Sequence, residues 1–134
     1  MNETRQPEPH HRTALLAEDD ELIRDIVTQY LERLGYHVLE AKNGRVAVDI
    51  IERMETGKID LIVTDLLMPK AGGEAVIAAA QQKEACARFL VMSGFSNEMA
   101  ASRSDLSSVS SYIAKPFTFG AFQEKVGELS QAKS

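Results

Sequence analysis

The chain has 134 residues, 44% of them hydrophobic and 26% charged, which suffices for one core with a water-facing exterior and leaves no room for a second domain. A net charge of -5 and a pI near 5.2, with no basic cluster, argue against direct phosphate-led binding of nucleic acid and favour protein partners or a cation. Cys86 is the only cysteine, so no internal disulfide can form; with no apolar run of about 18 residues and no secretory h-region, neither a membrane anchor nor export is indicated, and a cytoplasmic location is expected.

Residues 1–12 are polar, hold two of the four prolines and cannot bury a face, so they read as a mobile N-terminal arm in which His10 and His11 are solvated. The domain is expected over 13–130, with 131–134 as a C-terminal tail. "TALLA" makes a first strand leading into "EDD". Asp20 is then placed to cap a helix whose apolar stripe is Leu22, Ile23, Ile26, Val27, Tyr30, Leu31 and Leu34, stopped by Gly35.

"YHVLEA" alternates like a half-exposed strand, and Asn43 opens a second helix with Ala47, Ile50, Ile51 and Met54 inward, closing at Gly57. "DLIVT" is the third strand, followed after Gly73 by a helix carrying Val76, Ile77 and Ala80. "RFLVM" is the fourth strand, with a weak fourth helix opening near Asn97. "SYIA" and a fifth helix with Phe119, Phe122, Val126 and Leu129 complete the series. Cys86, Met68, Met92, Phe117 and Phe119 read as packing residues.

Five strands alternating with five helices imply an α/β, doubly wound parallel sheet of order 2-1-3-4-5, the flavodoxin-like arrangement. Ligands of such sheets bind beyond the carboxyl ends of the strands, where the order reverses between strands 1 and 3. On that edge fall Glu18, Asp19 and Asp20, then Asp65, Ser93 with Gly94, and Lys115 with Pro116. Glu18, Asp19 and Asp65 crowd carboxylates onto adjacent strands, which raises pKa values or recruits a hard cation; oxygen-only ligands point to Mg²⁺. A divalent cation, a lysine and a hydroxyl make a pocket for a phosphoryl group, with Asp65 as the attacking carboxylate.

In "AEDD", "DLIVTDLLMPKAGG", "VMSGFS" and "YIAKPF", in this order, the chain resembles the receiver domain of bacterial two-component response regulators. The resemblance implies that Asp65 is the phosphoacceptor, taking its group from a histidine kinase or a histidine phosphotransfer protein. It implies Asp19 as a direct Mg²⁺ ligand, Glu18 as one acting through water, and the backbone carbonyl of Leu67 as a third donor beside Asp65. Ser93 matches the switch hydroxyl, Lys115 the phosphate-binding lysine and Tyr112 the aromatic switch residue, and a cis Lys115–Pro116 bond is expected.

Output is expected through a protein surface formed by the fourth helix, the fifth strand and the fifth helix. By the same resemblance the chain is no enzyme beyond assisting its own phosphorylation and dephosphorylation, and Leu67 and Phe95 flank the path of the hydrolytic water. Gly72 departs from the pattern, since many receivers carry Asp there, and an altered loop is expected. A rival reading is a Mg²⁺-dependent phosphohydrolase with an aspartyl nucleophile; enzymes of the haloacid dehalogenase type want a second acid two residues on, where this chain has Leu67. Another alternative is a receiver excised from a hybrid histidine kinase, although Met1 and the polar ends fit an independent protein.

Overall fold

A computed structural model describes residues 12–55, 57–66, 68, 71–84, 88–94 and 110–131. The strands are β1 (Arg12–Ala17), β2 (Tyr36–Ala41), β3 (Leu61–Asp65), β4 (Phe89–Ser93) and β5 (Ser110–Ala114). Between and after them run α1 (Glu21–Arg33), α2 (Gly44–Arg53), α3 (Gly73–Lys83) and α4 (Phe119–Gln131), which is the fifth helix expected from the sequence. The weak helix expected near Asn97 lies outside the described residues, as do Cys86, His10 and His11.

All neighbours pair parallel in the order β2-β1-β3-β4-β5, as the alternation of strand and helix requires. Every residue of β3 and β4 is buried, because helices cover both faces; this is why those strands read as continuous apolar runs. β2, on the edge, keeps two exposed positions. The pleat sends Leu15, Ile62, Phe89 and Val91 toward Ala47, Ile51, Val76 and Ile77 of α2 and α3. Leu16, Val63, Leu90 and Met92 go to the other face, against Val27 and Leu31 of α1 and Phe122 and Val126 of α4.

The helix starts follow their side chains. Asp20 accepts the Ile23 N–H at 3.1 Å, Asn43 the Val46 N–H at 2.9 Å, and the Thr118 hydroxyl the Ala121 N–H at 3.1 Å. Gly35, at φ +96, carries the chain out of α1. Near α4, Tyr30 packs with Phe117, Phe119 and Phe122, and the Arg33 guanidinium stands 4.0 Å over the Phe119 ring.

Three details differ from the sequence reading. Arg12 and Gln131, assigned there to the arm and the tail, are the first residue of β1, paired with Tyr36, and the last of α4. The α1 stripe is narrower: Val27 and Leu31 are buried, whereas Leu22 is 69% and Ile26 39% exposed, since they sit on a flank that does not face the sheet. α2 ends at Arg53, short of Gly57; Met54 has left the helix for extended backbone, yet its side chain still packs on the core.

Candidate functional site

Each acidic or basic group expected at the site is delivered by a strand end. β1 runs beside β3 with Ala17 opposite Thr64, so the loop that follows β1 stands next to Asp65, the last residue of β3. Asp65 pairs with Met92, one residue short of Ser93, and Ser93 pairs with Ala114, one residue short of Lys115. The Lys115 N–H donates to the Ser93 carbonyl at 2.8 Å, and the Lys115–Pro116 peptide is cis.

Carboxylate oxygens of Glu18, Asp19 and Asp65 lie within 4.8 Å of one another, Glu18 and Asp65 buried and Asp19 exposed. The Lys115 ammonium bridges two of them, at 3.1 Å from Glu18 Oε1 and 3.2 Å from Asp65 Oδ2. Glu18 Oε2 accepts the Asp20 N–H at 3.0 Å, and Oε1, fully buried, faces the Lys115 ammonium.

Burial pushes the Asp65 carboxyl above its usual range; Lys115 pulls it back only in part, and Asp19 adds to the rise. Glu18 is likewise raised, by burial first and by Asp65, against the lowering effects of the Asp20 N–H and Lys115. For Lys115 burial acts downward, yet Asp65 and Glu18 outweigh it and hold the ammonium above the ordinary lysine value. Three oxygen donors with incomplete compensation suit a hard, oxygen-seeking divalent cation, so the residues present fit Mg²⁺.

A family model for the response regulator receiver domain matches residues 14–127. The chain belongs to that family. Among curated relatives, the response regulator receiver protein CpdR of Brucella abortus is 31% identical over 77% of this chain and 83% of its own length. The sensor kinase CckA of the same organism is 27% identical over 87% of this chain, which spans only 12% of that kinase. Of several other relatives the chain likewise covers about half the length or less. A receiver protein from Sinorhizobium medicae has the same fold, with a TM-score of 0.82 over 95% of this chain and 100% of its own, at 23% identity. This chain is therefore a receiver domain of the two-component phosphorelay type, and receivers are phosphoacceptors.

Within this receiver the structure brings together Glu18, Asp19, Asp65 and Lys115, with Ser93 buried alongside on β4. Tyr112 stands farther back on β5, opposite Val91, half-buried against the core face of α2 and α3. Leu67 and Phe95 lie outside the described residues. The loop after Asp65 is drawn closed by the Gly73 N–H, which donates to the Leu66 carbonyl at 2.9 Å. Gly72 is part of that closure, because a Cβ there would stand 2.8 Å from Leu66 O.

Three supporting residues escaped the sequence reading. Arg24 Nη1 donates to the Glu18 carbonyl at 3.0 Å. The buried Thr64 hydroxyl donates to the Asp65 carbonyl at 3.0 Å. A Cβ on Gly44 would stand 2.0 Å from Ala71 O, so only glycine lets α2 approach the loop beyond Asp65. None has a motif, because each acts on a main-chain group that only the fold brings near. No helix among the described residues is long and apolar enough to cross a membrane.

Proposed function

We propose that Asp65 accepts the phosphoryl group of a phosphohistidine donor, a histidine kinase or a histidine phosphotransfer protein, and that the acyl phosphate so formed sets an output surface. The observation that carries this reading is the Lys115 ammonium 3.2 Å from Asp65 Oδ2, beside the Glu18 and Asp19 carboxylates. An Asp65 oxygen attacks phosphorus, the phosphorus–nitrogen bond breaks, and its electron pair leaves with the donor imidazole, which takes up a proton. Lys115 then balances charge on the transferred group and Ser93 hydrogen-bonds one of its oxygens. Glu18, Asp19, Asp65 and the Leu67 carbonyl would hold Mg²⁺, which when bound supplies further neutralisation of the phosphoryl oxygens.

The donor reaches this site past an apolar rim. A groove of about 290 Å³ lined by Ile23, Ile26, Val27, Lys115, Pro116 and Phe117 opens beside Lys115, with Leu22 exposed on the same helix. Apolar contacts there would bring a donor histidine within reach of Asp65. Engagement of the phosphoryl group by Ser93 and Lys115 draws the ends of β4 and β5 inward, and Tyr112 turns with them. The surface that changes comprises β5, α4 and the segment opening near Asn97, and it binds a downstream protein. Water then attacks the phosphorus, the Asp65–phosphoryl bond breaks, and inorganic phosphate leaves. The setting we infer is the cytoplasm, without direct contact to nucleic acid.

The test is transfer from radiolabelled phosphohistidine proteins, ranked by initial rate. One donor is expected to outpace the rest, with label appearing on this chain as it leaves that donor. Failure of every donor in the presence of Mg²⁺, together with release of phosphate from small phosphomonoesters, would instead favour the phosphohydrolase.

A further inference from the structure

The loop carrying Glu18 and Asp19 is three residues long between β1 and α1, so something must fix the direction in which its carboxylates point. Main-chain contacts hold the Glu18 peptide groups on both sides. The Glu18 N–H donates to the Ala41 carbonyl at 3.0 Å, at the end of β2. Its carbonyl accepts from Arg24 Nη1 at 3.0 Å, six residues on and one turn into α1. The guanidinium is itself anchored, with Nε 3.3 Å from Glu40 Oε1 on β2, and its side chain is 17% exposed.

The Glu18 carbonyl belongs to the peptide unit that ends at the Asp19 Cα. That unit is planar, so a guanidinium fixing the oxygen also fixes the Asp19 N–H and the Asp19 Cα from which its side chain springs. We infer that Arg24 is a positioning residue for divalent-cation binding: it clamps the Glu18–Asp19 peptide between α1 and Glu40 of β2 and thereby aims the Asp19 and Glu18 carboxylates at Asp65. The planar fork of arginine suits this task, since different nitrogens of one group serve the carboxylate and the carbonyl at once.

Charge and position make opposite predictions here. A guanidinium beside the loop repels a divalent cation, so its removal would by charge alone tighten Mg²⁺ binding. Loss of the clamp would weaken it. The inference rests on the Mg²⁺ reading above, and titration of the parent separates the two: a parent that binds no Mg²⁺ overturns both, whereas a parent that binds while the variant binds equally well overturns only the role of Arg24.

The experiment is calorimetric titration of the full chain and of Arg24→Ala with MgCl₂, alongside the rate of labelling by acetyl phosphate as a function of Mg²⁺. Arg24→Ala is expected to raise the Mg²⁺ dissociation constant about tenfold, the scale on which outer partners of metal ligands act. The half-saturating Mg²⁺ for labelling should rise with it, while the rate at saturating Mg²⁺ stays within about twofold of the parent. A merely structural defect would instead lower the plateau. Unchanged or tighter binding, or a fallen plateau with unchanged half-saturation, overturns the inference. Should Arg24→Ala fail to fold, Arg24→Lys carries the test, since it keeps the charge but lacks the fork; a loss of about threefold is expected, and parental affinity overturns the inference.

Discussion

Replacing Lys115 with Met keeps an unbranched apolar stem in the groove that Ile23 and Phe117 also line and removes the ammonium. Two ion pairs go with it, at 3.1 and 3.2 Å. Each represents about 5 kcal/mol of attraction at an effective dielectric of about 20, before the opposing desolvation of three groups is counted. Breaking a buried pair costs about 3–5 kcal/mol, because an uncompensated charge stays behind. The Lys115 side chain is 20% exposed and the Glu18 side chain 1%, so the lower end applies, about 3 kcal/mol near pH 8.

The loss should shrink with acid. Burial already lifts the Asp65 and Glu18 carboxyls, and without Lys115 they rise further, so the folded variant takes up protons at a higher pH than its unfolded chain does. Its stability therefore increases as pH falls through those raised values, and the deficit should be smaller in mild acid than near pH 8. Lys115 itself, raised in the fold, contributes its full stability below the unfolded lysine pKa and loses it only as pH rises through the folded value, in the alkaline range. Adding about 10 mM Mg²⁺ should restore part of the deficit near neutrality by replacing the missing positive charge. Urea unfolding followed by far-UV circular dichroism, at both pH values and with and without Mg²⁺, measures all of this. A deficit below about 0.5 kcal/mol, or one indifferent to both pH and Mg²⁺, would refute the reasoning.

Gly44→Ala should destabilise by about 3 kcal/mol in urea unfolding and slow labelling by acetyl phosphate, because the added methyl meets Ala71 main-chain atoms at 2.0 and 2.5 Å and must displace the loop beyond Asp65. Gly72→Asp should lose about 1 kcal/mol by the same measurement: a capping side chain gains only a few tenths over glycine at a helix start, whereas its Cβ stands 2.8 Å from Leu66 O. Replacing Leu67 with Asn and Phe95 with Glu together should speed loss of the phosphoryl group about tenfold, equivalent to about 1.4 kcal/mol of barrier, by giving the hydrolytic water polar partners and a clearer approach; decay of labelled protein after removal of the donor reports it.

The sheet was legible because buried parallel strands and amphipathic helices leave different apolar periods, and the site edge because its polar residues sit at strand ends. Glu18, Asp19, Asp65 and Lys115 could be grouped before any coordinates, since the strand order alone sets β3, which ends in Asp65, beside β1 and two places from β5, with all their carboxyl ends on one edge. Apolar spacing reports burial more faithfully than helicity, which explains Met54: its side chain continues the inward period of α2 after its backbone has left the helix. Leu22 and Ile26 failed in the opposite way, because on the flank of α1 an apolar residue can face solvent, as Leu22 does, or line a groove, as Ile26 does, instead of the sheet. Arg24 and Gly44 left no trace in the sequence, because the groups they meet at the site are carbonyl oxygens, of Glu18 and Ala71, which every residue type carries.

The central claim is that the carboxylate of Asp65 is the atom group that receives phosphorus. Intact-protein mass spectrometry after incubation with acetyl phosphate and Mg²⁺ tests it most directly, on the parent and on Asp65→Asn, whose amide cannot attack phosphorus. The parent should gain the mass of one phosphoryl group and the variant none, with fragmentation placing the group on the peptide that contains Asp65. Equal labelling of the two proteins, or a phosphoryl group mapped to another peptide, would contradict the account.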